Sequence, residues 1–229
     1  MKKILRDLYI EMLAEHGHQH WWPAETPYEV LVGAILTQNT NWKNVEKAIA
    51  NLKKVGSLSP YRILGMHNRK LEKLIRSSGY YKQKAERLKA ATKKWLALRN
   101  SKADTMWLRE EWLSVKGIGK ETADSILLYA FKRPVFVVDA YTRLFCSHHC
   151  LFEGMEYDQY QSFFESHLPS SVPLFKEYHA LIVEWAKGQK RKPKSIGKSE
   201  VKHRLADGAK EILKTTSPLY TVRKQRTTG

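Results

Sequence analysis

The stretch Leu113-Ser-Val-Lys-Gly-Ile-Gly-Lys-Glu-Thr-Ala123 decides the fold. It joins two apolar segments of helical spacing, Leu108 to Val115 and Glu121 to Ala130. The break between them, Lys116-Gly117-Ile118-Gly119-Lys120, carries two glycines two residues apart, which permits a tight turn whose backbone can approach another molecule closely. The amides opening the following helix would point outward, where unpaired donors and the helix dipole favour an anion. Glycine pairs also make ordinary helix connections, so the hairpin alone leaves both readings open.

Outward from this hairpin, apolar residues recur at helical spacing and period-two alternation is nearly absent, so an all-α protein is expected. Tyr28, Leu31, Val32, Ile35 and Leu36 make one helix face, and Val45, Ile49 and Leu52 the next. Ser59-Pro60 reads as an N-cap followed by a helix-first proline. Leu71, Leu74 and Ile75 end at the stop Ser77-Ser78-Gly79, and Gln83 to Leu98 is amphipathic. After Pro134 and the apolar run Val135 to Val138, Asp139 is placed to cap a helix over Ala140 to His148. Helices are expected at Tyr157 to Ser166 and Leu174 to Ala186, then a loop from Gly188 and a late helix over Val201 to Leu213.

The 229 residues hold 40 Lys and Arg against 23 Asp and Glu, a formal net charge of +17, with 42% apolar residues and two cysteines. That apolar content supports a real core and excludes a wholly disordered chain. From Lys187 onward stand 13 Lys and Arg against 3 Asp and Glu, so +10 of the charge lies in the last 43 residues. Such a bias draws a chain to polyanions, because each neutralised phosphate releases condensed counterions. Nucleic acid is favoured over an anionic membrane, since no segment pairs an apolar face with a purely basic one. No stretch approaches the roughly 18 to 20 apolar residues of a membrane span. The opening Met1-Lys-Lys-Ile-Leu-Arg-Asp7 lacks a secretory apolar run, so a cytoplasmic, nucleoid-associated protein is expected.

The hairpin, with Val137-Val138-Asp139 about twenty residues beyond it, resembles the helix-hairpin-helix signature of the endonuclease III superfamily of DNA glycosylases. Ile35-Leu-Thr-Gln-Asn-Thr-Asn41 is similar to that family's early loop with its DNA-probing glutamine, and Ser78-Gly-Tyr-Tyr-Lys-Gln-Lys-Ala85 to the turn between two of its helices. Trp21-Trp22-Pro23, Leu36-Thr-Gln-Asn-Thr40 and Lys116-Gly-Ile-Gly-Lys-Glu-Thr-Ala-Asp124 together resemble its narrower 3-methyladenine glycosylase branch. The matching stretches cover about residues 20 to 150, and nothing past Lys187 matches. The resemblance implies a two-subdomain helical bundle with the site in the cleft between. Residues 25–133 would form a barrel ending with the hairpin, 1–24 plus 134–187 the second subdomain, and 188–229 a basic extension.

Base excision breaks an N-glycosidic bond through an oxocarbenium-like sugar, so a carboxylate is needed near the anomeric carbon. The resemblance assigns this to Asp139, whose plain alternative is helix capping. Many relatives carry a nucleophilic lysine two residues after the second hairpin glycine; here that residue is Glu121. Lys120, one residue earlier, is rotated by about 100° on a helix and cannot stand in. A monofunctional enzyme releasing the base without strand cleavage is expected. Trp21, Trp22, Pro23 and Trp42 are the candidate walls for the flipped base, since indole faces suit a cationic alkylated purine. Gln38 and Asn39 could fill the gap left in the duplex, or be turn and cap residues. Lys116, Gly117, Gly119, Lys120 and Thr122 are the expected DNA contacts. His179 and Glu184 could close the pocket or be structural. Trp95, Trp107 and Trp112 read as core.

Members with an iron–sulfur cluster use four cysteines; Cys146 and Cys150 fall short, so no cluster or other cofactor is expected. With His148 and His149 between them a zinc site is conceivable, but the spacing spreads the four groups around one helix, and no metal is expected. The favoured function is excision of alkylated purines, chiefly 3-methyladenine, by a monomer acting on damaged double-stranded DNA. Rivals are an endonuclease III-like glycosylase and lyase for damaged pyrimidines, and a non-catalytic helix-hairpin-helix module that only clamps DNA.

Overall fold

In the computed structural model, residues 1–191 are described; the expected late helix at 201–213 and most of the basic extension lie outside them. The described chain is helical, with no strand among its residues. Helix α1 spans Lys2–His16, α2 Pro27–Thr37, α3 Trp42–Lys54, α4 Pro60–Gly65, α5 Asn68–Leu74 and α6 Tyr81–Leu98, with a 3-10 turn at Arg76–Ser78. Helix α7 spans Thr105–Leu113 and α8 Lys120–Ser125, continued by a π-helical turn at Ile126–Ala130; α9 is Ala140–His148, α10 Tyr157–His167 and α11 Val172–Arg191.

Local chemistry accounts for most starts. The side chains of Thr26, Asn41, Ser59 and Asp104 accept a backbone N–H from the first turn of α2, α3, α4 and α7, and Pro27 and Pro60 supply the pre-set φ of a first helical residue. Asp139 caps α9 as expected, in a reciprocal box with Thr142.

Two expectations need correcting, and one helix comes without a sequence expectation. Helix α11 continues through Gly188 to Arg191, where a loop was expected. One glycine costs a helix only about 1 kcal/mol, and the first strong breaker in the sequence is Pro193. Trp107 is 43% exposed, whereas Trp95 and Trp112 are buried. Leu108 and Trp112 form the inward stripe of α7, and the residue beside Leu108 is turned about 100° away from it. Helix α1, which the periodicity reading does not single out, forms on two buried anchors, Leu5 and Met12.

Met1–Gly188 forms one compact unit. Within it, α2 lies at the centre of one group of helices, and its residues from Tyr28 to Leu36 are all buried. Lys84 of α6 is buried there too, donating from Nζ to Leu36 O at 2.8 Å and Ser78 O at 2.6 Å, so it satisfies backbone acceptors near two element ends. Burial pushes its ammonium down to about 8.

A second group gathers on Phe136, stacked on Phe164 at 4.1 Å and edge-on to Phe175 and Tyr178. Tyr178 Oη donates to Leu5 O at 2.8 Å, which fastens α1 to α11. The buried connector Val135 to Val138 forms no regular element, and two of its amides find side-chain acceptors: Phe136 N–H donates to Glu165 at 2.8 Å and Val138 N–H to Tyr157 Oη at 3.2 Å. It delivers Asp139 to the space between the two groups.

Candidate active site

That space is a cavity of about 540 Å³. One wall comes from α2, the loop after it, α3, α6 and α8, and includes Trp42, Arg87, Glu121 and Thr122. The other comes from Val137 and from α9 and α11, and includes Asp139, Tyr141 and His179, while Trp21 and Trp22 reach in from the segment after α1. Residues distant in sequence thus meet only because the connector crosses from one group of helices to the other.

Asp139 holds its carboxylate by several contacts. Oδ1 accepts Thr142 N–H at 2.7 Å and Thr142 Oγ1–H at 2.9 Å, and Oδ2 faces His179 Nε2 at 3.5 Å. Burial alone would raise the carboxyl, but the His179 ring and the two Thr142 donors outweigh it and hold Asp139 below the ordinary carboxylate range. His179 is placed in turn by Tyr129, whose hydroxyl lies 2.8 Å from Nδ1. Tyr129 is a neutral phenol, since burial and the charge of Asp139 push it well up. The contact at Nδ1 leaves the Nε2 edge of the imidazole turned toward Asp139. Tyr129 belongs to the π-helical turn, where Phe131 N–H reaches Ile126 O at 3.1 Å. No local pattern in the sequence pairs His179 with Asp139, because the histidine lies forty residues on, in α11.

Glu121 stands on the same cavity at the second residue of α8. Its carboxyl is raised, first by burial and then by the charge of Asp139, with His179 acting against both. The two carboxyl groups of the cavity are therefore displaced in opposite directions.

The aromatic wall is built from three tryptophans, with the buried Tyr129 packed against Trp22. Trp22 meets Trp42 edge-on at 5.5 Å and Tyr129 at 5.2 Å, and Trp21 lies 5.9 Å from Trp42. Gly33 of α2 makes room for this, because a Cβ there would stand 3.0 Å from Trp22 Nε1. Trp42 is anchored by its Nε1–H to Glu46 at 2.8 Å. Pro23, expected beside them, is exposed and is not part of the cavity wall. Glu184 also stays out of the wall; it accepts from Lys187 Nζ at 3.0 Å, and that ammonium lies 5.5 Å from the Trp21 ring centre.

The hairpin residues divide by what already holds them. Ile118 is buried and fixes the turn to the core, Gly117 adopts φ +88°, and Gly119 precedes the first turn of α8 with its backbone extended. Lys116 is exposed and makes no ion pair among the described residues. Lys120, by contrast, donates to Asp158, and this ammonium holds the Asp158 carboxyl below its usual range. Asp158 also accepts from Arg109, which grips the fully buried Asp124 through Nε at 2.7 Å and Nη2 at 3.0 Å. Gln161 completes the link, donating to both Asp124 and Phe136 O. Lys120, expected as a DNA contact, is thus also the residue that ties α8 to α10 through Asp158.

Gln38 and Asn39 also part company. Gln38 Nε2 donates to Gly117 O at 3.0 Å and Thr122 Oγ1 at 3.1 Å, and its Oε1 accepts from Arg87 at 2.8 Å. It clamps the α2–α3 loop to the hairpin and occupies the Thr122 hydroxyl. Asn39 is exposed at the cavity rim with φ +53°, a left-handed conformation that asparagine tolerates. Among the described residues no group of three His, Cys, Asp or Glu side chains is arranged to hold a metal, and no helix is long and apolar enough to cross a membrane.

Comparisons with known proteins agree with this geometry. A protein of Methanocaldococcus jannaschii that carries the name DNA repair glycosylase is 50% identical over 193 residues, covering 81% of this chain and 88% of its own. The crystal structure of Helicobacter pylori 3-methyladenine DNA glycosylase bound to 1,N6-ethenoadenine superposes with a TM-score of 0.68 at 32% identity, over 84% of this chain and 99% of that one. A trapped endonuclease III–DNA covalent intermediate shares the fold, with a TM-score of 0.69 at 19% identity, over 81% of this chain and 85% of that one. Residues 32–169 match the HhH-GPD superfamily of base excision DNA repair proteins, and the chain belongs to that superfamily.

Proposed function

We propose that the chain is a monofunctional DNA glycosylase that excises alkylated purines, chiefly 3-methyladenine, from double-stranded DNA. The observation that carries this reading is one cavity that the Asp139 carboxyl, held by Thr142 and facing His179, shares with three tryptophans. A purine flipped from the stack meets Trp21, Trp22 and Trp42, whose ring faces attract the positive charge of an alkylated base. Asp139 stabilises the oxocarbenium character that grows on the sugar as the bond to the base lengthens, and orients the water that completes the hydrolysis. A cationic base is already a good leaving group, so this chemistry needs no proton from the protein. The exposed hairpin with Lys116 grips the phosphate chain, and Asn39, free of the clamp that holds Gln38, enters the gap in the duplex.

Glu121 supports hydrolysis without strand cleavage. A carboxylate cannot form the Schiff base that an amine at this position would make with the sugar, and Lys120 is held by Asp158. The similarity to the Helicobacter pylori enzyme favours the same substrate class. The test is to incubate the protein with methylated duplex DNA, identify the free bases by chromatography, and assay strand nicking in parallel. Release of 3-methyladenine with no nick before alkali is the expected result. Absence of free base, or a protein–DNA adduct trapped by borohydride, refutes the reading.

A further inference from the structure

We propose that Glu121 is the proton donor to the departing base, which extends the reaction to uncharged alkylated purines whose ring nitrogen must be protonated as the glycosidic bond breaks. This rests on the base-excision reading given above.

Two carboxyl groups line one cavity, and the structure treats them differently. Asp139 is engaged at both oxygens, by Thr142 and by His179, and so is built to stay charged. Glu121 reaches the cavity from the opposite wall, and its carboxyl accepts no hydrogen bond from any described residue. No cation is spent on it either. Of the basic groups around the cavity, Arg87 is held by Gln38, Lys187 is paired with Glu184, and the adjacent Lys120 is paired with Asp158. His179 is directed at Asp139, and its other ring nitrogen is taken by Tyr129. Burial and the neighbouring negative charge of Asp139 favour the protonated form of Glu121, while His179 and the N-terminus of α8 oppose it. Bound DNA adds further negative charge and strengthens the first pair of effects. Carboxyl groups whose surroundings separate their proton affinities take the acid and the electrostatic role respectively.

Glu121 transfers its proton to a ring nitrogen of the base while the C1′–N bond breaks and its electron pair leaves with the base, which departs neutral. Asp139 stays ionised and stabilises the sugar cation. Water then adds to C1′, and the proton it releases passes through water to the Glu121 carboxylate, restoring the acid. A base that already carries a positive charge leaves without this transfer. Glu121 therefore decides how well the enzyme handles neutral lesions relative to cationic ones.

The experiment compares single-turnover release from a duplex carrying one 1,N6-ethenoadenine, a neutral lesion, with release of 3-methyladenine and 7-methylguanine from methylated DNA, over about pH 5.5 to about pH 8.5. The full chain should release both classes, with only the neutral-lesion rate falling as pH rises. Glu121→Gln should lower the ratio of neutral to cationic release by about 100-fold, the scale of general acid catalysis, and flatten the pH dependence. Glu121→Asp, which keeps a transferable proton, should restore that dependence in part. An unchanged ratio in Glu121→Gln, a pH profile that survives the substitution, or a full chain that releases only cationic bases overturns the proposal. Release of neither class overturns the base-excision reading, and this proposal with it. The pH contrast is read on the unaltered chain, so it holds whether or not the variants fold.

Discussion

Replacing Asp139 by asparagine separates the two jobs this side chain can do. As the cap of α9 it accepts Thr142 N–H at 2.7 Å through Oδ1, and an asparagine oxygen caps about as well, so helix and fold should survive. Catalysis should not. A carboxylate about 3.5 Å from a sugar carbon bearing a full positive charge, at an effective dielectric of about 20, supplies about 5 kcal/mol. At 1.36 kcal/mol per decade this is a loss of about three and a half orders of magnitude in the rate of base release. The assay is single-turnover release of 3-methyladenine from methylated DNA, beside a thermal melt and a binding titration on DNA carrying an abasic-site analogue. Binding and melting should stay close to those of the unaltered protein. A variant that keeps its rate within tenfold would refute the electrostatic role, and one that loses fold and binding together with rate would reduce Asp139 to a cap. Because the folded carboxyl is depressed, its contribution to stability is complete above the unfolded value, about 3.9, and is lost as pH falls through the folded one. Acid melting of Asp139→Asn should accordingly lack that part of the decline.

Three other outcomes follow from the same geometry. Arg109→Ala strands the fully buried Asp124 carboxylate and should destabilise the fold by about 3 to 5 kcal/mol, measured by urea denaturation; a change under 1 kcal/mol would show the network to be dispensable. Lys84→Met leaves Leu36 O and Ser78 O without their donor, at about 1 to 3 kcal/mol each. Since burial lowers Lys84 to about 8, the wild type gains stability between there and the unfolded value of 10.5, so the difference between the two proteins should widen on going from neutral to alkaline pH. Glu121→Lys puts an amine where lyase-active relatives of the resembled family carry theirs; a borohydride-trapped DNA adduct is expected from this variant and not from the parent chain.

Much of the architecture is legible in short stretches because its signals are local. Helix starts at Ser59 and Asp139 are written in single residues whose side chains reach an amide three positions on. The hairpin needs only two glycines and a buried isoleucine between them. Misreadings arise where a local signal is weak against its surroundings: Gly188 does not stop α11, and Trp107 faces outward although its type favours a core.

The sequence by itself determined that the chain is helical, where the hairpin lies, and that Asp139 opens a helix shortly after it. These are matters of periodicity, capping and position along the chain. Tertiary structure alone decided which of the candidate residues are free to act. Lys120 is paired with Asp158, Gln38 is bonded to the hairpin, and Pro23 lies outside the cavity lining, while His179 arrives from α11 to face Asp139. Such pairings join residues 38 to 84 positions apart, and their partners are fixed by how helices pack rather than by any repeat the chain carries. The opposed surroundings of Asp139 and Glu121 belong to the same class: two ordinary carboxyl groups acquire different proton affinities only once the fold has buried them in one cavity.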